Sequence, residues 1–522
     1  MVGDVRFWIR RGIAATAALA VALAVSTVTV TSSGAAVANK AKIDKSAVLR
    51  VGLPLTGQGG VFFDPSNSVL NPQARLWVDL IYDTMIHDTL DPKGAPGLAS
   101  KWATPDPQTV QLTFQDTKFT DGEPFTSAAV KAAWERLLSS SVTTIPDEIK
   151  AITSMDVVDD HNLTVHLGKP LAKQWTDVTL RNSFWLGVPS PKAAQAGNLN
   201  SKPVGAGPYM FDSYQEGQTI TLKRNPGYFN PKSVKLAGIQ FIEEGAGAPS
   251  LAALQGGTVD LIGNLDTDAI GTVKSSGNLT VSSAPGTQVF DLSLCVTDPV
   301  FQNKKARQAM QYAIDRKGLN DAAMAGQGTP TILPLSPAHP FYNKSLEKTY
   351  SYNPKKAKAL FKEAGVKPGA KITALVATNP PQPAMAEIVQ SQLKALGYNV
   401  EITSSTNIPV DSLRLKPAID FVGMDPTLFI FAFAPPAPTA LNACAWKNDQ
   451  VASLLEATKD ASKSEGEIKA AWDKLQKIVL DESPVVFTVV APLLAAETKK
   501  VKGIDVIYSI IGPSLRNIYM VK

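Results

Sequence analysis

"GLASKWATPDPQTVQLTFQDTKFTDGEPFTSAAVKAAWERLL", residues 97–138, carries the clearest structural signal in the chain. Within it, Thr109–Phe114 alternates apolar and polar residues, which is typical of a half-buried strand. The turn-forming segment TDGEPFTS then leads to a helix N-cap at Thr126 or Ser127. The apolar residues that follow fall on one helix face: Val130, Ala133, Trp134, Leu137 and Leu138. The stretch therefore predicts a strand, a turn and an amphipathic helix in succession.

On the N-terminal side of that stretch, the sequence predicts a strand, a loop and a helix. Leu49–Leu53 is a short apolar run typical of a buried strand, and the loop TGQGGVFFDPSN follows it at 56–67. Trp77–Met85 has the apolar spacing of a helix that precedes the turn LDPKGAPG. The folded core therefore begins well before residue 97.

On the C-terminal side, strands and helices alternate more regularly. Pro203–Phe229 predicts two strands around a turn, with Gly205 and Gly207 placed where other residues would resist the backbone geometry. Leu251–Gly263 predicts a helix end, a glycine cap and a strand. In YNPKKAKALFKEAG, Asn353 is placed to cap a helix that the final glycine ends.

The segment after this helix predicts a strand-helix-strand unit. Its parts are KITALVA, a helix over Ala384–Leu396, and YNVEIT. Such a unit normally pairs its two strands in parallel, with the helix on one face of the sheet. The fold class is therefore α/β, and 522 residues are enough for two or more lobes.

The N-terminus differs from the rest of the chain. Three arginines precede an apolar run at 13–30, and the small residues Ala36-Val37-Ala38 follow it. This pattern predicts an export signal over 1–38; an uncleaved membrane anchor is the alternative, because the run approaches the roughly 20 residues that span a bilayer. No cysteine lies near the cleavage site, so we expect a periplasmic or extracytoplasmic cell-surface protein without a cysteine-linked lipid anchor.

The sequence offers little support for catalysis or metal binding. It lacks a G-x-S-x-G elbow, an H-E-x-x-H motif, a phosphate-binding G-x-x-x-x-G-K and a dinucleotide fingerprint. His161 and His166 have an odd spacing on a predicted strand, so they point to opposite faces. Asp266 and Asp268 lack the other ligands of a calcium loop. We therefore expect a protein that is not an enzyme and has no cofactor.

Charge and cysteine content limit the partners further. The net charge of +5 is too small to indicate a nucleic-acid partner. Cys295 and Cys444 are the only cysteines, and an oxidising compartment permits them to pair. A disulfide and two buried free thiols both remain open at the level of the sequence.

Four segments, in order, give the chain a family resemblance. Gly97–Leu138 resembles the signature "pgLAtsWe…kFhDGxPFtAeDVxxsfeRl", and Pro203–Phe229 resembles "PVGTGPYkF…rNPdYw" with Ala206 in place of the usual threonine. Asn303–Leu319 resembles "d.rvRqAlnyAIDRe.i", and Tyr352–Gly365 resembles "ydpekAkaLLaeAG". The chain is thus similar to the extracellular solute-binding proteins of the peptide, oligopeptide and nickel class, family 5, that serve ABC importers.

This resemblance implies a two-lobed periplasmic-binding-protein-like fold with a hinge and an extra subdomain in the first lobe. Lobe one would comprise 39–75, 200–286 and 487–522, the inserted subdomain 76–199, and lobe two 287–486. A monomer would capture a peptide between the lobes and deliver it to the permease of an ABC importer. A non-peptide metabolite, or a sensor role without transport, is the alternative.

The resemblance also points to ligand-binding residues. The loop after the first strand lines the cleft in the family, and its nearest counterparts here are Phe62, Phe63 and Asp64. Trp185 occupies a cleft-bordering segment, with core packing as the alternative. Asp425 is the counterpart of a lobe-two carboxylate, although the family pattern "GWxaDYpDP" is replaced here by FVGMDPTLFIFAFAPP. Phe429 in this apolar run belongs either to a buried strand or to an apolar cleft wall.

Overall fold

A computed structural model gives the fold of most of the chain. It describes residues 42–522 except for 56–59, 67–71, 89–93, 141–144, 183, 287, 338, 379, 407–410, 412–418, 425–443 and 505–512. The predicted export signal over 1–38 lies outside the described residues. Within the described part, no helix combines the length and the apolar character needed to cross a bilayer.

The strands are numbered here in chain order. The first twelve are β1 (Val48–Leu53), β2 (Ile86–His87), β3 (Ala95–Pro96), β4 (Ala99–Asp106), β5 (Thr109–Phe114), β6 (Ile152–Val157), β7 (Asn162–Leu167), β8 (Tyr209–Gln215), β9 (Thr219–Arg224), β10 (Gly238–Glu243), β11 (Leu261–Gly263) and β12 (Leu279–Ala284). The others are β13 (Val289–Leu294), β14 (Thr329–Pro330), β15 (Lys371–Ala377), β16 (Asn399–Ser405), β17 (Ile419–Met424), β18 (Val485–Val490), β19 (Leu493–Thr498), β20 (Val501–Lys502) and β21 (Tyr519–Met520).

The α-helices alternate with these strands. They are α1 (Arg75–Tyr82), α2 (Ser127–Leu138), α3 (Asp147–Lys150), α4 (Ala172–Gln174), α5 (Leu180–Asn182), α6 (Pro191–Gln195), α7 (Ala248–Gly256), α8 (Ile270–Ser275), α9 (Lys304–Ala313), α10 (Arg316–Ala323), α11 (Pro354–Glu363), α12 (Gln382–Ala395), α13 (Asp449–Lys459) and α14 (Glu465–Glu482). A π-helical turn, Trp175–Thr179, joins α4 to α5.

Two large sheets form the centres of two lobes. The sheet of lobe one has the strand order β12-β19-β11-β1-β10-β9-β8, with β1 parallel to both β10 and β11. The sheet of lobe two has the order β14-β18-β13-β17-β15-β16, with β15 parallel to β16 and β17. The parallel pairing of β15 and β16 around α12 confirms the predicted strand-helix-strand unit.

A third sheet, β4-β5-β7-β6, is antiparallel and belongs to the subdomain of lobe one. The buried side of α2 packs in its core through Val130, Trp134 and Leu137. The N-cap of α2 is Thr126, whose hydroxyl accepts a hydrogen bond from the Ala129 N–H. The local signals of residues 97–138 therefore predicted this region correctly.

Two short connections join the lobes. The first runs from the end of β12 to the start of β13, and the second runs from β18 to β19 through residues 491 and 492. The Ala491 N–H donates to the Gln288 carbonyl oxygen at 2.9 Å, so the two connections are paired. A Cβ atom on Gly286 would lie 1.7 Å from the Ala491 carbonyl oxygen. Only glycine permits this close approach of the two connections.

The strand pairing and the hydrophobic cores place two domain boundaries at residues other than those predicted. Because β18 pairs with β13 in the second sheet, the chain returns to lobe one at residue 491 rather than after 486. Helix α1 packs in the core of lobe one through Trp77 and Tyr82, whereas Met85 already belongs to the subdomain core. The subdomain core therefore begins after α1 rather than at residue 76.

Helix α1 ends three residues earlier than predicted. Asp83 follows it with φ 64°, and its buried carboxylate contacts His87, Tyr228 and Arg516. Burial acts to raise the pKa of Asp83, but Arg516 and His87 outweigh it and hold the pKa well below its usual range. The positive φ of Asp83 ends the helix, and the Asp83 carboxylate then binds Arg516 of the C-terminal segment.

Gly205 and Gly207 are needed because the backbone of α1 lies directly against them, not because their dihedral angles are unusual. A Cβ atom on Gly205 would lie 2.2 Å from the Ile81 carbonyl oxygen, and one on Gly207 would lie 2.3 Å from the Leu80 carbonyl oxygen. Neither glycine has a positive φ. The sequence located these positions correctly but gave the wrong reason, since the end of α1 lies directly against them.

Candidate ligand-binding site

One edge of the lobe-one sheet faces the connections to lobe two. The first residue of β19, Leu493, pairs with Ala284 at the end of β12, and Ala495 pairs with Gly263 at the end of β11. The carboxyl end of β1 lies beside that of β11, since these strands are parallel. Ligands of open α/β sheets bind outside the carboxyl ends of the strands. This edge is therefore the candidate ligand-facing side of lobe one.

A cavity of about 360 Å³ opens at this edge. It lies between the ends of β1 and β11, the start of α7, and the segment around Leu515. Its volume falls within the range of about 300–1,000 Å³ that is usual for small-molecule sites. The polar and charged residues of its lining are Gln73, Ser250, Asn264, Asp266, Asp268 and Thr272. Apolar and small residues form the rest of the wall.

The loop after β1 is held by packing and hydrogen bonds. The Phe63 ring is fully buried, with its centroid 5.0 Å from that of Phe211 and 5.5 Å from that of Tyr214. The half-buried Phe62 offers its carbonyl oxygen to the Trp77 indole N–H at 2.8 Å. Phe63, predicted as a ligand contact, is thus a core residue in this conformation because its ring fills space under the sheet.

Asp64 is bound within the protein rather than presented to the cavity. Its two carboxylate oxygens accept hydrogen bonds from the two terminal nitrogens of Arg136, at 2.7 and 2.9 Å. Burial acts to raise the pKa of Asp64, but the hydrogen bonds and charge of Arg136 lower it overall. The backbone N–H groups of Phe63 and Asp64 both donate to the Asn200 side-chain oxygen. Asp64 therefore ties the loop to the subdomain, which is a positioning role.

The remaining predicted ligand contacts are Trp185 on lobe one and two residues on lobe two. Trp185 is half-buried and packs against the cores of both lobe one and the subdomain. Asp425 and Phe429 lie outside the described residues. Asp425 is the residue after β17, whose last residue Met424 pairs with Val289 at the start of β13. The structure brings Phe62, Phe63 and Asp64 together in one loop, and the ligand contacts assigned to all six residues remain predictions.

A disulfide fixes part of lobe two at the end of β13 that lies away from the connections. Cys295 and Cys444 are bonded across a sequence separation of 149 residues. Cys295 follows the last residue of β13, and the Val296 N–H donates to the Cys444 carbonyl oxygen at 3.1 Å. Of the two possibilities that the sequence left open, the structure contains the disulfide.

A polar contact joins the subdomain of lobe one to lobe two. The Lys459 ammonium, at the end of α13, lies 3.5 Å from a carboxylate oxygen of Glu148 in α3. Both side chains are only 16% exposed. Next to them, the Ala461 N–H donates to the Pro170 carbonyl oxygen at 2.5 Å. The described conformation therefore has its two lobes in contact at a point separate from the two connections.

Sequence reasoning missed both this contact and the position of Asp266 and Asp268 in the cavity wall. The two aspartates were rejected as a calcium loop, and among the described residues no group of three or more potential metal ligands occurs. A usable signal was present, because both residues closely follow a predicted strand, β11, and such positions commonly face a ligand. The Glu148–Lys459 contact has no comparable signal, since 311 residues separate its partners.

Comparison with known proteins agrees with this architecture. Residues 93–425 match the family described as "Bacterial extracellular solute-binding proteins, family 5 Middle". The chain is 26% identical over 422 residues to the glutathione-binding protein GsiB of Shigella boydii, covering 76% of this chain and 80% of that protein.

Two solved structures share the fold. One is DppA of Helicobacter pylori in complex with the peptide STSA (TM-score 0.75, 23% identity, 91% of this chain and 98% of that one). The other is AgaA of A. tumefaciens R10 in complex with agropinic acid (TM-score 0.74, 22% identity, 91% and 99%). With its two α/β lobes, paired connections and a cavity at the lobe-one edge, the chain belongs to the family 5 bacterial extracellular solute-binding proteins.

Proposed function

We propose that this solute-binding protein captures a peptide or peptide-like solute outside the cytoplasmic membrane and delivers it to the permease of an ABC importer. The observation that carries the proposal is the cavity at the carboxyl edge of the lobe-one sheet, on the side from which both connections leave. A ligand there meets the second lobe as the lobes approach, so binding and closure are linked.

The relatives support a peptidic ligand. GsiB is named for glutathione, which is a tripeptide, and DppA was solved with the peptide STSA. The described lining of the cavity includes neither Phe62 nor Trp185. In this proposal the ligand extends beyond the cavity and contacts these two residues on lobe one, and Asp425 and Phe429 on lobe two. Phe63 and Asp64 hold the loop that presents Phe62.

A non-peptide metabolite is the second candidate for the ligand. AgaA, with a similar fold, was solved with agropinic acid. In addition, the segment after Asp425 is more apolar than the corresponding family pattern, which favours a ligand with one uncharged end. The protein is proposed to act as a monomer, without catalysis, a cofactor or a cysteine-linked lipid anchor.

The test is to identify the ligand that the protein retains. The exported protein is purified without denaturation, its intact mass is measured by native mass spectrometry, and any released ligand is fragmented for sequencing. Isothermal titration calorimetry with glutathione and with tripeptides then measures affinity. We expect a peptidic mass and micromolar binding, about −8 kcal/mol. A non-peptide mass, together with no heat from any peptide, would favour the second candidate.

Transport requires a separate test. Deletion of the gene should abolish uptake of the identified ligand, and unchanged uptake would instead support a sensor role.

A further inference from the structure

A group of exposed lysines lies at one end of the lobe-one sheet. Strand β1 begins at this end, and β19 ends there at Thr498, which pairs with Leu279 at the start of β12. The cavity and the connections to lobe two lie at the opposite end of the same strands. The lysines belong to the segments before β1 and after β19 and are called here the basic end: Lys42, Lys45, Lys499, Lys500, Lys502 and Lys522.

Hydrogen bonds to the backbone hold these segments against one another. The Lys522 N–H donates to the Lys42 carbonyl oxygen at 3.1 Å, and the N–H of the residue before Lys522 donates to the Lys500 carbonyl oxygen at 2.9 Å. A terminal nitrogen of Arg224 donates to the Lys45 carbonyl oxygen at 2.7 Å. The lysines therefore stand together on a fixed backbone, although they come from opposite ends of the described chain.

The positive charge of the basic end is not neutralised within the described part of the chain, where none of the six lysines forms an ion pair. The neighbouring carboxylates are otherwise engaged. Asp44 accepts hydrogen bonds from the N–H and the hydroxyl of Ser46. Asp260 is bound by Arg50, and Glu497 is only 3% exposed. Since the net charge of the whole chain is only +5, the basic end is a local concentration of charge.

The position and the residue type of these cations favour a membrane surface as the partner. The apolar run at 13–30 ends 12 residues before Lys42, and that length of chain reaches at most about 40 Å. The basic end therefore stays close to the membrane while the chain is exported. All six residues are lysines, whose flexible ammonium groups suit a layer of diffuse negative charge, whereas arginine is preferred for defined carboxylate partners. Anionic phospholipids attract lysine clusters of this kind.

We propose that the basic end binds anionic phospholipid headgroups at the outer surface of the cytoplasmic membrane. This inference goes beyond the proposed function and does not depend on the identity of the ligand. Because the cavity lies at the other end of the strands, a protein bound in this way keeps its cavity open to solvent. The contact is electrostatic and reversible, so it retains the protein near its permease without fixing it there.

Vesicle sedimentation measures this contact. The exported protein is mixed with vesicles of phosphatidylcholine alone or with vesicles that also contain phosphatidylglycerol, and the bound fraction is quantified. The test variant combines three substitutions of exposed residues: Lys42→Gln, Lys500→Gln and Lys522→Gln. The matched control removes the same charge from exposed positions of helix α11 in lobe two: Lys355→Gln, Lys358→Gln and Lys362→Gln.

We expect the unmodified protein to bind the vesicles that contain phosphatidylglycerol and not those of phosphatidylcholine alone. This binding should be lost at about 1 M salt, where the screening length falls to about 3 Å. A lysine near an anionic surface contributes about 5-fold in affinity, so the test variant should bind at least about 10-fold more weakly. The control variant should retain most of the affinity.

The test variant should also unfold at the same temperature as the unmodified protein and retain the same ligand, because its substituted side chains are exposed and do not line the cavity. The inference is overturned if the unmodified protein does not prefer anionic vesicles, or if the two triple variants lose binding equally. Binding to soluble poly-glutamate but not to vesicles would overturn it in favour of an acidic protein partner. None of these outcomes bears on the proposed function, which identification of the retained ligand tests separately.

Discussion

Removing the positive charge of Lys459 should shift the protein toward an arrangement in which its lobes are further apart. Lys459 of lobe two contacts Glu148 of the subdomain, and 3.5 Å separates the charged atoms. The backbone of Glu148 is held in place, because its carbonyl oxygen accepts a hydrogen bond from the Trp175 indole N–H at 2.8 Å. Opening of the lobes therefore breaks the ion pair rather than moving α3 along with lobe two.

The size of the effect follows from the burial of the pair. Exposed ion pairs contribute about 0–1 kcal/mol, whereas removing one partner of a fully buried pair costs about 3–5 kcal/mol. Both side chains here are 16% exposed, which lies between these limits. We therefore expect Lys459→Met to disfavour the contacting arrangement by about 1–2 kcal/mol, or about 5- to 30-fold in the equilibrium between the two arrangements.

Small-angle X-ray scattering of the unliganded protein measures this shift as an increase in the radius of gyration. Glu148→Gln should give a similar increase, and the double variant should add little to either single change because both remove the same interaction. Lys469→Met is the matched control, since Lys469 pairs with Asp473 at 2.7 Å within the single helix α14. An unchanged radius in Lys459→Met, or full additivity of the two changes, would refute the reasoning.

Three further predictions concern stability. Gly286→Ala should lower the free energy of unfolding by about 2–4 kcal/mol, because its Cβ would overlap a carbonyl oxygen of the opposite connection. Gly271→Ala is the control: it has open space around it and lies in helix α8, so it should leave the free energy of unfolding unchanged or raise it slightly in the same thermal unfolding assay. Burial raises the pKa of Glu497 to about 7, so the unfolded state loses its proton first and the free energy of unfolding should fall as pH rises from about 4.5 to 7. Glu497→Gln should remove that decline. In denaturant titrations above pH 7 it should raise the free energy of unfolding by about 1–2 kcal/mol, a figure that allows for partial solvation of the carboxyl. A decline of the same size in the variant would contradict this cause. Replacing Cys295 and Cys444 by serine should cost about 2–5 kcal/mol, measured by thermal unfolding with and without reductant, and an equal effect of reductant on the variant would be inconsistent with a role for this disulfide.

The parts of the fold that sequence predicted well are those whose signals are local. The cap at Thr126, the strand Thr109–Phe114 and the helix after Asn353 were all correct, because each depends on residues within one or two turns. The end of α1 was wrong because Asp83 takes a positive φ. That conformation serves contacts to Tyr228 and Arg516, which are 145 and 433 residues away, and no local pattern reveals them.

The site was harder to predict than the fold for the same reason. The family resemblance assigned Phe62, Phe63 and Asp64 to the ligand, because the loop after the first strand lines the cleft in the family. The structure instead buries Phe63 and pairs Asp64 with Arg136, a residue of the family signature that lies 72 positions later. The resemblance did not indicate which side chains of the loop have partners within the protein. Such partners decide which side chains remain for the ligand.

The same distinction bears on how the two lobes come together. The connections at Gly286 and Ala491 persist in every arrangement of the lobes, so they cannot favour one arrangement unless their backbone geometry changes. The contacts between Glu148 and Lys459 and between Pro170 and Ala461 exist only when the lobes touch, so their free energy bears directly on the equilibrium. A large interface of this kind would hold the protein closed without ligand and would slow release to a permease. Among the residues that the structure describes, the contact consists of one partly buried ion pair and one backbone hydrogen bond. Contacts of this size are small enough that a ligand bridging the lobes supplies most of the difference in free energy.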